Sequence, residues 1–130
     1  MNLEAGLYSY LSTKATVIAI TSTRIYPVML PQKPTFPCIH YNVTGANRTS
    51  TFNEGQTDYV GLQVDIHCWG ETYKSAKELQ YVVQTAVQNY RGSMGTVAVD
   101  KVFVYDPVDV YEDQIQAYRC VLPVIIYHTE

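Results

Sequence analysis

The chain has 130 residues, 47% of them hydrophobic and 16% charged. That is the length of one ordinary domain with enough apolar content for its own core, which rules out wholesale disorder and makes a metal or disulfide staple unnecessary. A formal charge of -3 argues against the basic face of a dedicated nucleic-acid binder.

Residues 2–20 read as helix, because Leu3, Leu7, Tyr8 and Leu11 recur at spacings of three and four. Asn2 suits the N-cap and Glu4 suits the positive end of the helix dipole. Ser12 and Thr13 divide the stretch, and β-branched residues weaken its second part, 15–20. Residues 24–30 are apolar and β-prone, but Pro27 confines them to an edge strand or an extended crossing segment. Pro31, Pro34 and Pro37 then stiffen a connection that has no hydrogen bonds of its own.

Residues 38–43 form a strand with Ile39, Tyr41 and Val43 on one face and Cys38, His40 and Asn42 on the other. Residues 44–57 are the longest polar stretch, read as a long hairpin loop or as two strand ends carried past the sheet. Residues 58–69 are the clearest strand. Val60, Leu62, Val64, Ile66 and Cys68 alternate with Gly61, Gln63, Asp65, His67 and Trp69. Its apolar face should meet the helices, leaving the polar face open to water or a partner.

The clearest helix covers 73–90, with Thr72 as N-cap and Gly92 as stop. Ala76, Leu79, Val83, Ala86, Val87 and Tyr90 form its buried stripe. A strand over 95–105, an acidic turn over 106–113 and a last strand over 115–127 complete the chain. The order implies one α+β domain over 1–130: a mostly antiparallel sheet of four to five strands with two main helices packed on one face.

The chemistry-bearing residues do not converge. Cys38, Cys68 and Cys120 are odd in number and contain no CxxC, so reduced, buried thiols in a cytosol are expected rather than a disulfide framework or zinc ribbon. His67 and Cys68 point to opposite faces, and Cys38 with His40 makes only a pair, so no metal is expected. A nucleophilic set could be drawn from Cys68 or Cys120, His67 or His128, and Asp65, but apolar strands raise a thiol pKa instead of lowering it. Gly92-Ser93-Met94-Gly95 follows a helix rather than opening one, so it is no phosphate loop. The acidic turn lacks the spacing and glycine of a calcium loop. No cofactor and no catalysis are expected. No apolar run spans a bilayer and residues 1–4 carry no basic signal region, so no membrane role is expected. Twelve Tyr against 3 Phe and 1 Trp suit either half-buried strands or a protein interface. Trp69, beside Gln63, Asp65 and His67, marks either an interface or the covered far side of its own sheet.

Taken in order, these segments resemble the phage tail-completion family, the tail terminators or tail-to-head joining proteins of long-tailed phages. The likeness rests on Arg24-Ile25-Tyr26-Pro27, the prolines at 31, 34 and 37, and Ile39 with Tyr41. It continues through residues 63–69 followed by Thr72, Tyr73 and Ala76, then Tyr105-Asp106-Pro107 and the strand to Tyr127. It covers nearly the whole chain and is carried by order and spacing. His67 and Cys68 depart from the plainer apolar or aromatic residues expected there.

The resemblance implies a structural virion protein of a phage or prophage, assembled in the bacterial host cytoplasm and placed at the tail–head junction. It implies a homo-oligomeric ring, commonly hexameric, which isolated monomers can form on the tube. The ring would cap the tail tube protein and dock to the head–tail connector, with DNA passing through the lumen unbound. Heterologous ring contacts need two matching patches. The candidates are the long polar stretch, with Arg48, Thr49, Phe52 and Glu54, the acidic segment, with Asp106, Asp109, Glu112 and Asp113, and the face carrying Asp65, His67 and Trp69. The other readings are a head-completion or stopper protein under the portal, and a small thiol or metal enzyme.

Overall fold

A computed structural model describes residues 3–29, 32, 34–51 and 55–129 of the chain. Three helices cover one face of a seven-stranded sheet. The α+β class and the two main helices hold, with a third, shorter helix besides, whereas the expected four to five strands fall short of the seven among the described residues.

Helix α1 (Leu3–Thr13) buries Leu3, Leu7 and Leu11, the spacing of one helical stripe. It ends where Thr13 turns its hydroxyl back to the Ser9 carbonyl and Lys14 goes extended. Helix α2 (Ala15–Thr21) follows at once, so the break anticipated around residues 12–13 is real. Its β-branched residues are tolerated because Val17 is fully buried, and it stops at Ser22, whose φ is 54°. Strand β1 (Ile25–Pro27) is a short edge, parallel to β2 (Cys38–Thr51), where Pro27 is allowed. Arg24 clamps it: Nε donates to the Pro37 carbonyl at 2.9 Å and Nη2 to that of Ile20 at 3.2 Å.

Strand β3 (Gly55–Gly70) forms a long antiparallel hairpin with β2, with register shifts between Val43 and Gly45 and between Arg48 and Ser50. On its other side β3 pairs with β7 (Ala117–Thr129) from Tyr59–Thr129 to Gly70–Tyr118. This central pair carries Val64, Ile66, Leu122, Val124 and Ile126 into the core. Helix α3 (Tyr73–Val87) lies over it. Thr72 caps it by accepting from the Ser75 amide at 3.1 Å, and Ala76, Leu79, Val83, Ala86 and Val87 are buried as expected. The helix ends earlier than 90 because Asn89 adopts a φ of 58°, so Asn89 rather than Gly92 supplies the left-handed turn.

Three boundaries differ from the sequence reading. The strand expected over 95–105 is β5 (Val97–Val104), preceded by a further strand, β4 (Gly92–Met94), with Gly95 at a φ of 62° in the turn between them. The acidic segment 106–113 is not a turn but contains strand β6 (Val108–Glu112). The last strand lies two residues further on than expected, because Ile115 and Gln116 belong to the turn after β6. Strands β5 and β6 pair successive halves of β7, β6 from Ala117 to Val121 and β5 from Val124 to His128. Tyr105 bridges them, its amide donating to the Pro123 carbonyl at 2.9 Å.

The far face of the sheet is not wholly polar. At one end Cys38, Trp69 and Ala117 form a second small core, against which Tyr26 and Phe36 pack. The proline-rich connection thus folds back to cover the Trp69 ring.

Gly6 lets α1 seat on β4, since a Cβ there would run into the Met94 carbonyl oxygen. Alanine would favour an isolated helix by about 1 kcal/mol. In this protein Gly6→Ala should instead lower stability by ~1–3 kcal/mol, read as a fall in urea midpoint at unchanged slope. A gain in stability would mean that α1 does not rest on β4.

Candidate functional site

The residues singled out in the sequence fall into three places. The first is the far face of the β2–β3–β7 layer. Register sets His40 opposite His67, Asn42 opposite Asp65, and Trp69 between Cys38 and Arg119. The two imidazoles stack with centroids 4.1 Å apart and planes 7° from parallel. The Trp69 indole N–H donates to His40 Nδ1 at 2.8 Å, so that nitrogen carries no proton. His67 Nε2 meets Asn42 Oδ1 at 2.9 Å and is therefore the protonated nitrogen, leaving Nδ1 buried and without a partner among the described residues. Arg119 lies 5.4 Å from the Trp69 ring centroid, and its Nη2 pairs with Glu112 at 2.8 Å.

Burial, followed by the nearby Arg119 charge, depresses the His40 pKa to about 4. Burial, then His40, then Arg119 do the same to His67, also to about 4. Both rings are thus neutral structural groups near neutral pH. Trp69 is 5% exposed, so it closes the far side of its own sheet instead of offering a surface.

The second place is the β6 edge. Asp109 faces the helices, where it accepts from the Tyr73 hydroxyl at 2.9 Å and from Lys77 at 3.2 Å. Glu112 faces the other way, to Arg119. Both faces of this edge strand are therefore pinned by charge. Asp106 and Asp113, just before and just after it, are exposed. Near Asp106 stand large exposed side chains the sequence reading did not select: Phe103 at 45%, Tyr105 at 54% and Val108 at 56%. Phe103 and Tyr105 alternate within the expected strand 95–105, whereas Val108 lies in the stretch read as an acidic turn.

The third place is the β2–β3 arm. Pairing of β3 with β7 ends at Tyr59, and beyond it Ser50–Gln56 and Thr51–Gly55 pair only within the hairpin. The polar stretch is thus two strand ends carried past the sheet, the second of the two sequence alternatives. Arg48 sits at the root, opposite Val60, with Thr49 in the adjacent register shift. Phe52 and Glu54 lie outside the described residues. The three places are not one pocket.

A further groove, of about 670 Å³, runs between α2 and α3 along Ile20, Tyr73, Lys77, Tyr81 and Val82. Tyr73 and Tyr81, eight residues apart on α3, were a legible sign of an outward aromatic stripe.

The thiols are placed against nucleophilic chemistry. Cys38, Cys68 and Cys120 are free and buried. Burial pushes Cys38 up to about 12 and raises Cys68 further, while burial and the Asp109 carboxylate push Cys120 up to about 11. Such thiols are protonated near neutral pH, the reverse of what a cysteine nucleophile needs. Among the described residues no three His, Cys, Asp or Glu side chains converge on a metal position, and no helix is long and apolar enough to cross a membrane.

The family model described as tail completion protein gp17 matches residues 5–129. The chain belongs to that family, and it is a structural component of the phage virion rather than an enzyme. No curated protein matches it. Among solved structures it is similar to a chain in the virion of a native gene transfer agent particle. That likeness has a TM-score of 0.70 at 13% identity and covers 98% of this chain and 95% of the other. It supports the fold.

The histidine pair makes stability depend on pH. Both folded pKa values lie below the ordinary 6.5, so as the pH falls the unfolded chain takes up protons first. The contribution is complete above 6.5 and is lost progressively as the pH falls towards 4. Denaturant midpoints should therefore drop between about pH 7 and about pH 5, before carboxylates titrate. A His40→Gln, His67→Gln double variant should flatten that slope. A wild-type midpoint constant over the window would refute the buried, neutral pair.

Proposed function

We propose that the protein works as a closed ring at the tail–head junction, where it caps the tail tube and joins it to the head connector. What supports this most is the placement of two unlike surfaces at opposite corners of the sheet. The β2–β3 arm leaves beyond the end of β7, whereas the β6 edge pairs with the start of β7. A ring requires a heterologous contact, in which one patch of each subunit meets a different patch of the next.

On this reading the arm, with Arg48 and Thr49 at its root, reaches the neighbour's β6 edge. Asp113 supplies an acceptor for Arg48, and Asp106, at the other end of β6, stands beside the apolar area of Phe103, Tyr105 and Val108. Asp109 and Glu112 already have partners within the chain, so their part is to hold β6 in place. His67 and Trp69 stiffen the layer beneath, and Asp65, half-buried beside Asn42, belongs with them. The partners are other copies of the chain, the tail tube protein and the connector. A net charge of -3 suits a lumen through which DNA passes without being held.

The test is a charge swap in phage lysates. Arg48→Glu should leave the monomer folded and abolish its incorporation into particles. Asp113→Lys in the same chain should restore part of it, because each subunit then presents the reversed pair. Micrographs of a deletion mutant should show tails of uncontrolled length; tails of normal length that fail to join heads would favour a stopper under the portal. Full incorporation of Arg48→Glu would refute this arm-to-edge contact.

A further inference from the structure

Cys68 and Cys120 are direct register partners on the two central strands, β3 and β7. Both belong to the main apolar cluster, so both side chains lie on the helix-covered face. Directly opposed residues of an antiparallel pair have Cα atoms about 4.5–5.5 Å apart. A disulfide spans Cα separations of about 4.4–6.8 Å, so this pair meets its backbone requirement without strand movement. Cys38 does not compete. It is opposite Trp69 and packs in the small core on the other face.

There is also a way in. A cavity of about 200 Å³ is lined by Tyr73, Asp109, Tyr111, Tyr118, Arg119 and Cys120. Its outer wall is β6, a five-residue strand on the sheet edge. Cys68 is 0% exposed, whereas Cys120 lines the cavity.

We propose that Cys68 and Cys120 are a latent disulfide pair, closed by a small-molecule disulfide that enters through the β6 cavity. Cys120, deprotonated by solvent base at alkaline pH, attacks one sulfur of the oxidant as its thiolate, forming a mixed disulfide and releasing one small thiol. The Cys68 thiolate then attacks the Cys120 sulfur, forming the internal bond and releasing the second small thiol. Two protein thiols are oxidised and one external disulfide is reduced, with the two protons passing to solvent or to the released thiolates. The thiols remain reduced while the chain is made in a cytosol, and the pair closes in the oxidising surroundings a released particle meets. The bond would tie β3 to β7 around the segment carrying α3 to β6, restricting the unfolded chain.

The test uses the folded full-length protein incubated with oxidised glutathione at mildly alkaline pH. Free thiols are then blocked with iodoacetamide, and the peptides are mapped without reduction. The expected product is a Cys68–Cys120 cross-link, with Cys38 alkylated only after unfolding. Its melting temperature should rise on the order of 10 °C and return to the starting value with reductant. Cys68→Ala should trap glutathione on Cys120, whereas Cys38→Ser should cross-link like the parent. Three thiols still free after prolonged incubation would overturn the proposal. So would a stable glutathione adduct on wild-type Cys120 with Cys68 unpaired, since that would separate access from closure.

Discussion

The register between β3 and β7 is the constraint on which the molecule depends. Side chains alternate along a strand, so one register decides which residues face the helices over the whole length of the pair. As paired, Val64, Ile66 and Cys68 face α3 together with Cys120, Leu122, Val124 and Ile126. A one-residue slip of β3 would bring Asp65 and His67 under the helix, and a slip of β7 would bring Arg119 there, each pushing that strand's aliphatic residues outward. Burying each large aliphatic side chain stabilises by about 1.5–3 kcal/mol, so a slip across several of them costs more than the usual stability of a domain this size. The other elements take their positions from this pair. Helix α3 lies over it, β2 and β1 extend it on one side, and β5 and β6 share its other edge.

The polar groups on the far face follow from the same alternation. Once the aliphatics face inward, Asn42, His40, His67, Trp69 and Arg119 must share the opposite surface. Phe36 and Tyr26 then cover part of it. Buried polar groups are tolerated when paired, and here the pairing runs from Asn42 to His67, across the stack to His40, and on to the Trp69 indole. Arg119 continues the line to Glu112 on β6. On the opposite face Asp109 ties the same short strand to Tyr73 and Lys77 of α3. A five-residue edge strand would fray alone. Here it is anchored from both faces, so the apolar and acidic groups along it keep a fixed geometry.

Local periodicity made much of this legible. The leucines of α1, the Thr72 cap, the buried stripe of α3 and the alternation of residues 58–69 each carry their signal within a few positions. The edge status of β1 was legible because a single proline excludes a central strand. Other features depend on partners distant in sequence. The side chains of β6 alternate like a strand, yet Asp109 and Glu112 resemble a solvated turn until Lys77 and Arg119 are seen to meet them. The stretch 44–57 is polar on both faces, so periodicity cannot separate a loop from a hairpin arm; cross-strand pairing decides it. Trp69 reads equally as an interface residue or as the cover of its own sheet until the proline-rich connection is seen folded back over its ring. Asn89 outranks Gly92 as helix stop because the chain must turn towards Val102, whose carbonyl accepts from the Asn89 amide at 3.2 Å.

The distribution of charge and thiol chemistry accords with a protein that acts by fitting rather than by reacting. Catalytic sites gather groups whose surroundings move their pKa values towards the working pH. In this chain burial drives the shifts the other way: the two stacked imidazoles are held neutral and the three thiols are held protonated. Two ionic pairs, Lys77–Asp109 and Arg119–Glu112, lie on the two faces of β6 and orient that strand. The features that reach outward are of a different kind: a hairpin arm longer than the sheet that supports it, and an edge where aromatic and acidic side chains alternate. Arm and edge lie at opposite corners of the β3–β7 pair, so the register that builds the core also sets the distance and angle between the surfaces from which an assembly would be built.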